Sequence, residues 1–445
     1  MKRFAFFFIL LTAASCAHQP EISGPVPTQQ QLEWQRLETY AFIHFGLNTF
    51  NDMEWGYGDT PAATFNPSNL DCEQWVLTLK ACGMKGVILT AKHHDGFCLW
   101  PTETTDYSIK NAPYKNGQGD VVGELCEACR KHGLLFGVYL SPWDRHQANY
   151  GSAEYVELYH RQIQELVDHY GPFFEFWFDG ANGGNGWYGG TNETRSIKAE
   201  EYYQYDKARD IIWSKYPNTM IFGGTAPTLR WIGNEEGIAK ATQWCNYSLD
   251  FGDLNNTKLL ATGISDGEHW LPAEVDVSIR PGWFYHENEQ PKSLEQLLDI
   301  YYHSVGRNAS LLLNFPVDPN GRISPEDSLR AVEWHQTLQH TFANNLLEGL
   351  KPTTSEKEWV YTFDEPTRVS HVVLEEDVLY GQHVERFSIC YYRNGKWLPV
   401  ETDEEMTTIG FKRIIRFKPA NMEMLRIWII KAKAPVYFYR ISAYY

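Results

Sequence analysis

The chain has 445 residues, 43% of them hydrophobic and 15% aromatic, enough to build a sizeable core and to exclude a disordered chain. Acidic residues number 56 against 39 basic ones, a formal charge of −17, and a field of that sign argues against nucleic acid as a partner. A neutral ligand such as an oligosaccharide is compatible with it, and 16 Trp and 26 Tyr supply flat rings that cover the C–H face of a sugar.

From the N-terminus, the first element reads as an export signal. Lys2 and Arg3 give a positive start, Phe4 to Leu11 an apolar run, and small residues then lead to Cys16. The run is too short to span a membrane. Small residues ending at a cysteine resemble a bacterial lipoprotein signal. Residues 1–15 are therefore expected to be removed and Cys16 to carry lipid. The protein is then exported to the periplasm or outer membrane, touching membrane only through that lipid. The alternative is ordinary signal cleavage with an unmodified Cys16. Seven of the eight cysteines then remain. Cys126 and Cys129 form a C-x-x-C on an amphipathic stretch, with no second pair at zinc-site spacing, and read as small buried hydrophobes.

Between residues 40 and 342, apolar runs rich in β-branched residues alternate with helical patterns. The strand-like runs are 40–45, 86–91, 134–140, 173–178, 220–223, 242–245, 275–279 and 310–315. Amphipathic stretches lie at 72–82, 121–132, 153–170, 199–216 and 293–305, and a last helix at 325–342. Eight short buried strands separated by helices predict an α/β fold, a (β/α)₈ TIM-like barrel over 16–349. The glycine-rich segment 180–190 matches no phosphate loop and reads as a long loop over the barrel mouth. After residue 350 the helical period disappears. Seven short runs remain, at 359–363, 368–374, 386–392, 396–400, 414–417, 425–430 and 436–442, with Asn394-Gly395 as a hairpin signal. They predict a small antiparallel β-sandwich over 350–445. Its default role is to cover the barrel flank, with sugar binding as the alternative.

Active sites of such barrels sit at the C-terminal ends of the strands, so polar residues directly after apolar runs are informative. His44 ends the first run, and His93, His94 and Asp95 follow the second. Tyr139 to Asp144 close the third, and Asp179 ends Phe-Phe-Glu-Phe-Trp-Phe-Asp-Gly. A carboxylate ending an aromatic strand is costly to bury unless it is used or paired. Glycoside hydrolysis needs two carboxyl groups about the scissile bond. Glu235, in Gly-Asn-Glu-Glu-Gly, and Glu274, opening the seventh run, are the candidates for the second. On that pair alone the plainer reading is solvated surface. His93 and His94 are adjacent and on a strand point to opposite sides, unlike a chelating helical pair. No metal and no cofactor is expected.

The segments His44-Phe45-Gly46, Glu54-Trp55, Thr90-Ala91-Lys92-His93-His94-Asp95-Gly96-Phe97, Tyr139-Leu140-Ser141, Trp177-Phe178-Asp179-Gly180 and Asn308-Ala309-Ser310-Leu311-Leu312-Leu313-Asn314 together resemble the α-L-fucosidases of glycoside hydrolase family 29. The resemblance covers the whole barrel. It implies a retaining exo-α-L-fucosidase with Asp179 as nucleophile. His44, His93, His94, Tyr139 and Trp177 would hold the sugar, and Glu54 and Trp55 would add contacts. Arg230-Trp231-Ile232-Gly233-Asn234-Glu235 is similar to the acid/base segment of the branch acting on α-1,3/1,4-linked fucose. That makes Glu235 the acid/base, with Glu274 as second choice. The run from Glu274 through Asp276 to Trp283 and Phe284 also resembles that branch and is assigned to the aglycone side, together with Arg230. The expected partner is thus a fucosylated oligosaccharide or glycoconjugate, and nothing in the sequence sets an oligomeric state. A fucosidase of broad linkage tolerance is the alternative within the class. A surface glycan-binding lipoprotein that has lost catalysis is the alternative outside it.

Overall fold

The computed structural model describes residues 21–445; Cys16 and the expected export signal lie outside the described residues. Eight short strands form one parallel sheet: β1 Thr39–Ile43, β2 Gly86–Lys92, β3 Leu135–Leu140, β4 Glu175–Trp177, β5 Met220–Phe222, β6 Arg230–Trp231, β7 Ala273–Ser278 and β8 Ala309–Asn314. Their spatial order is β5-β4-β3-β2-β1-β8-β7-β6, so β8 beside β1 closes the sheet toward a barrel. Only β5 and β6 are not joined strand to strand. Thr228 bridges that seam, its N–H donating to Ile221 O at 2.9 Å and its Oγ1 accepting from Ile221 N at 2.7 Å.

Period-two alternation sorts the side chains of each strand. Val87, Leu89, Val138, Val275, Leu311 and Leu313 face outward into one core shared with the helices. Tyr40, Phe42, Ile88, Tyr139, Trp177, Phe222 and Leu312 face inward and fill the lumen. The surrounding helices start where the sequence offers a cap. Asp71 caps Cys72–Ala81, Asp120 caps Val121–His132, and Ser293 with Gln296 forms a capping box on Leu294–His303. Gly133, at φ 68°, ends its helix in the left-handed conformation that glycine adopts without strain.

Three expectations change. The sixth strand is Arg230–Trp231 and not 242–245. Gln243, Trp244 and Cys245 are buried because this segment is sandwiched against the C-terminal domain. Gln243 N donates to Thr408 Oγ1, and Cys245 N donates to Gln382 Oε1, both at 2.7 Å. The single helix at 199–216 is two, Ala199–Tyr202 and Tyr205–Lys215, broken at Gln204 with φ 50°. The glycine-rich loop carries a small hairpin, Gly184–Gly186 paired with Glu193–Arg195.

The C-terminal domain is the expected small antiparallel sandwich, made of fewer and longer strands. Glu358–Glu376 and Arg413–Ala432 each absorb two expected runs, and irregular register at Thr362/Thr367 and Val369/His371 lets them bend and continue. They enclose their own core of Val369, Val372, Phe387, Ile389, Leu425 and Ile427. Leu347 already belongs to this second core. Glu404 ties the domain to the barrel through Arg307 at 2.8 Å and His303 at 3.2 Å, and also pairs with Arg413 of its own domain at 3.1 Å. Burial alone would raise its pKa, but these three partners pull it down to about 2. The seven described cysteines are free thiols, six of them buried.

Candidate active site

A cavity of about 740 Å³ opens at the C-terminal ends of the strands. Trp177 forms part of its floor, stacked on Phe222 at 3.9 Å between ring centroids and flanked by Tyr139 at 5.4 Å. His44, His93 and His94 line one wall. All three are buried, and desolvation lowers their pKa values, His44 to about 3. They are therefore neutral near pH 7, and their hydrogen-bond partners fix which nitrogen keeps the proton.

Asn314 donates through Nδ2 to Ser278 Oγ at 2.9 Å and Trp283 O at 2.8 Å, so its Oδ1 faces His44 Nδ1 at 2.8 Å. Nδ1 of His44 must then carry the proton, and Nε2 is left as an acceptor. Ser141 gives its hydroxyl proton to Trp143 O and so accepts from His94 Nδ1 at 2.7 Å, leaving His94 Nε2 as an acceptor too. Asn48 is held by Gly56 N on its oxygen and donates its amide toward His93 Nδ1 at 3.3 Å. That makes His93 Nε2 the protonated nitrogen, a donor. The wall thus offers two acceptors and one donor, a set that matches the hydroxyls of a pyranose.

Asp179 stands two residues beyond β4, half-turned into the cavity. Tyr139 Oη donates to its Oδ2 at 2.9 Å and Ala181 N to its Oδ1 at 2.7 Å, with His94 Nε2 3.6 Å from Oδ2. One face of the carboxylate is held and the other is open. Glu235 lies in the loop after β6 and lines the same cavity, its Oε2 accepting from Trp283 Nε1 at 3.1 Å. Desolvation raises its pKa, the Trp283 hydrogen bond opposes this, and the charges of Asp179 and Glu54 add to the rise. One carboxyl presented by fixed donors and another biased toward its protonated form share one pocket, the pairing that acid-assisted displacement at an acetal carbon requires.

A family model described as Alpha-L-fucosidase matches residues 22–336. The curated Alpha-L-fucosidase 1 of Arabidopsis thaliana is 39% identical over 474 residues, covering 97% of this chain and 91% of that protein. Among solved structures, a glycoside hydrolase 29 family member from an unknown rumen bacterium superposes with a TM-score of 0.93 at 47% identity. It covers 95% of this chain and 78% of that one. A Ruminococcus gnavus GH29 fucosidase in complex with fucose superposes with a TM-score of 0.84 at 31% identity, over 96% of both chains. The chain belongs to the α-L-fucosidases of glycoside hydrolase family 29.

In this α-L-fucosidase the fold gathers most of the residues singled out from the sequence around one pocket: His44, Glu54, Trp55, His93, His94, Tyr139, Trp177, Asp179, Arg230, Glu235, Asp276 and Trp283. His93 and His94 do not point to opposite sides. β2 ends at Lys92, the chain leaves the strand, and both rings enter the pocket with centroids 4.2 Å apart. Among the described residues no group of three His, Cys, Asp or Glu is arranged to hold a metal ion. Trp55 is exposed at the mouth, edge-on to His94 at 5.1 Å. Arg230 borders the pocket, but its guanidinium is turned to structural work on Leu260 O, Gln243 and Trp244 O. Asp276 accepts from Trp231 Nε1 at 2.7 Å and is pushed well up in pKa by burial and by Glu235 and Glu274.

Glu274 stands apart. It is fully buried and does not line the cavity. Tyr40 Oη donates to it, as does Trp177 Nε1 at 2.8 Å, and it pairs with the equally buried Glu175. It lies beneath the floor because the pleat of β7 turns residues 274 and 276 inward at successive depths, and only the second reaches the cavity. Other contributors were given no role from the sequence, although Ser141 lies in the run from Tyr139 to Asp144 that closes the third strand. Asn48 and Ser141 set histidine tautomers. Arg145 donates to Trp55 O at 3.0 Å, Gly56 O at 2.8 Å and Asn185 O at 2.8 Å, strapping two rim loops together.

Proposed function

We propose that this fucosidase releases terminal α-1,3- and α-1,4-linked fucose from branched glycans with retention of configuration. Asp179 attacks C1, and Glu235 protonates the leaving oxygen and then deprotonates the incoming water. The observation carrying this reading is the pairing of Asp179, held on one face by Tyr139 and Ala181, with Glu235, whose pKa is raised in the same cavity. In this reading Glu274 has no part in the chemistry, because it is fully buried and does not line the cavity. His44 and His94 accept from sugar hydroxyls and His93 donates to one. The rim made by Trp231, Glu235 and Trp283 faces the sugar to which fucose is attached, and binding energy from that neighbour raises kcat where it is realised in the transition state.

The test is kcat/KM on a branched 1,3/1,4-fucosylated trisaccharide, the same glycan without its galactose, and a linear 1,2-linked fucoside. A clear preference for the first is expected. A ratio near one between the first two would favour broad linkage tolerance, and no turnover of any would favour a glycan-binding role. We further propose that the protein is exported and held at a membrane surface by lipid on Cys16. Cys16→Ser should then fractionate as soluble while the parent partitions with membranes, and equal partitioning would leave plain secretion.

A further inference from the structure

The loop after β7 is fastened at its base and latched at its tip. At the base, the buried Arg280 donates through Nε to both oxygens of Asp327 at 2.9 Å and through Nη2 to Ser324 at 2.9 Å. At the tip stands Trp283, the residue whose indole donates to Glu235. Its carbonyl accepts from Asn314 Nδ2 at 2.8 Å, and its N–H donates to Glu54 Oε2 at 3.0 Å. Phe284 N donates to Glu54 Oε1 at 3.2 Å. Glu54, read from the sequence as a sugar contact, therefore spends both oxygens on the backbone of this loop.

A carboxylate on a rim loop stays in such a position only if something fixes it in turn. His286 does so. Its Nε2 lies 2.7 Å from Glu54 Oε1 and its Nδ1 2.5 Å from Asp52 Oδ1. With a carboxylate against each ring nitrogen, both nitrogens donate and the ring is an imidazolium. Burial alone would lower its pKa, but the hydrogen bonds to Asp52 and Glu54 and the charges of Glu54 and Glu289 raise it. Those three carboxylates are the charged groups that face it, two from the loop after β1 and one from its own loop. The closeness of the fit shows at Gly282, where a Cβ would stand 2.6 Å from Glu54 Oε1 and 2.8 Å from His286 Cδ2.

We propose that His286 is a positioning residue for the leaving-group acid: by bridging Asp52 and Glu54 it fixes the Trp283 peptide, and through the Trp283 indole it sets the place of Glu235. The proposal rests on Glu235 acting as the acid. An acid loosened by about 1 Å loses much of its effect, because proton donation depends on reach and angle. The loss falls on substrates that need the proton. An activated aryl fucoside, whose leaving group departs unassisted, is largely spared.

The test compares the full-length protein with His286→Gln, Asp52→Asn and Glu235→Ala, on a fucosylated oligosaccharide and a nitrophenyl fucoside, with thermal midpoints for each. Asp52 and Glu54 are 78% and 37% exposed, so the latch lies at the surface and its variants fold. His286→Gln is expected to lower kcat/KM on the oligosaccharide about 10- to 10²-fold and on the aryl fucoside by less than about threefold. Asp52→Asn, which leaves the Glu54 half of the bridge, should show the same pattern more weakly. The basic limb of the pH profile should move to higher pH in His286→Gln, because Glu235 loses the donor that holds its pKa down. Equal losses on both substrates, or no loss, in His286→Gln while Glu235→Ala shows a steep leaving-group dependence would overturn the positioning role and leave the Glu235 assignment intact. A flat response in Glu235→Ala would remove that assignment and this proposal with it.

Discussion

Replacing Glu274 separates a buried structural carboxyl from a catalytic one. Burial raises the pKa of Glu274 and Glu175 alike, and their proximity keeps both from ionising together. Glu274 takes the donors of Tyr40 and Trp177, whereas Glu175 takes only the Trp34 indole at 2.7 Å. The shared proton therefore sits on Glu175 and points at Glu274. Glu274→Ala strands three buried donors, at about 1–3 kcal/mol each, and opens a void under Trp177. A loss of about 3–9 kcal/mol is expected, large against the roughly 5–15 kcal/mol that typically holds a domain, and visible as a thermal midpoint lower by roughly 4–12 °C. Glu175→Gln keeps a donor toward Glu274 and an acceptor for Trp34, and should change stability by less than about 1 kcal/mol. Thermal unfolding gives the first reading, and kcat/KM on good and poor leaving groups the second. Whatever activity Glu274→Ala or Glu274→Gln retains should fall equally on both. An unchanged midpoint with a loss confined to poor leaving groups would instead make Glu274 the acid.

Glu235→Ala should cost about 10²–10⁴-fold on glycans and far less on an activated aryl fucoside, as initial rates on the two would show. Because desolvation and the neighbouring carboxylates raise the pKa of Glu235, wild-type kcat/KM should fall as pH rises through that pKa. The variant should lack this limb on the aryl substrate. Arg145→Ala releases the backbone of Trp55 and Gly56 from the Asn185 loop. It should lower kcat/KM at least about tenfold, since hydrogen bonds to a charged donor contribute about 1.5–3 kcal/mol each. Steady-state rates check this, with circular dichroism confirming the fold.

The barrel was legible because its strands are short, buried on both faces and separated by capped helices. The runs at 86–91, 134–140 and 310–315 fall on β2, β3 and β8 within a residue or two. The sixth strand was misplaced because burial and strand pairing are different properties. Trp244 and Cys245 are as buried as any barrel residue, yet their backbone pairs with the C-terminal domain and with the loops at Thr262 and Leu271, while the polar Arg230–Trp231 takes the edge of β7. The two longest C-terminal strands were read as four because Asp364-Glu365-Pro366 and Pro419 look like breaks, whereas the bulged register carries the chain through them. At the site, strand-end position found His44, Tyr139 and Asp179. It misjudged the His93 and His94 directions because β2 ends at Lys92, so neither histidine is on the strand. The latch at His286 had no signal, since its partners Asp52 and Glu54 lie more than two hundred residues away.

The covalent bond proposed between Asp179 and fucose can be trapped directly. A 2-deoxy-2-fluoro-fucosyl fluoride keeps a good leaving group while the fluorine at C2 destabilises both oxocarbenium-like transition states, so a glycosyl-enzyme accumulates if one exists. Proteolysis and mass spectrometry of the inactivated protein then locate the label. A single modified peptide with the 2-fluorofucosyl group on Asp179 is expected, and no inactivation of Asp179→Asn. A label on Glu235 or any other carboxylate, or rapid turnover with no adduct and release of the β-anomer of fucose, would contradict it.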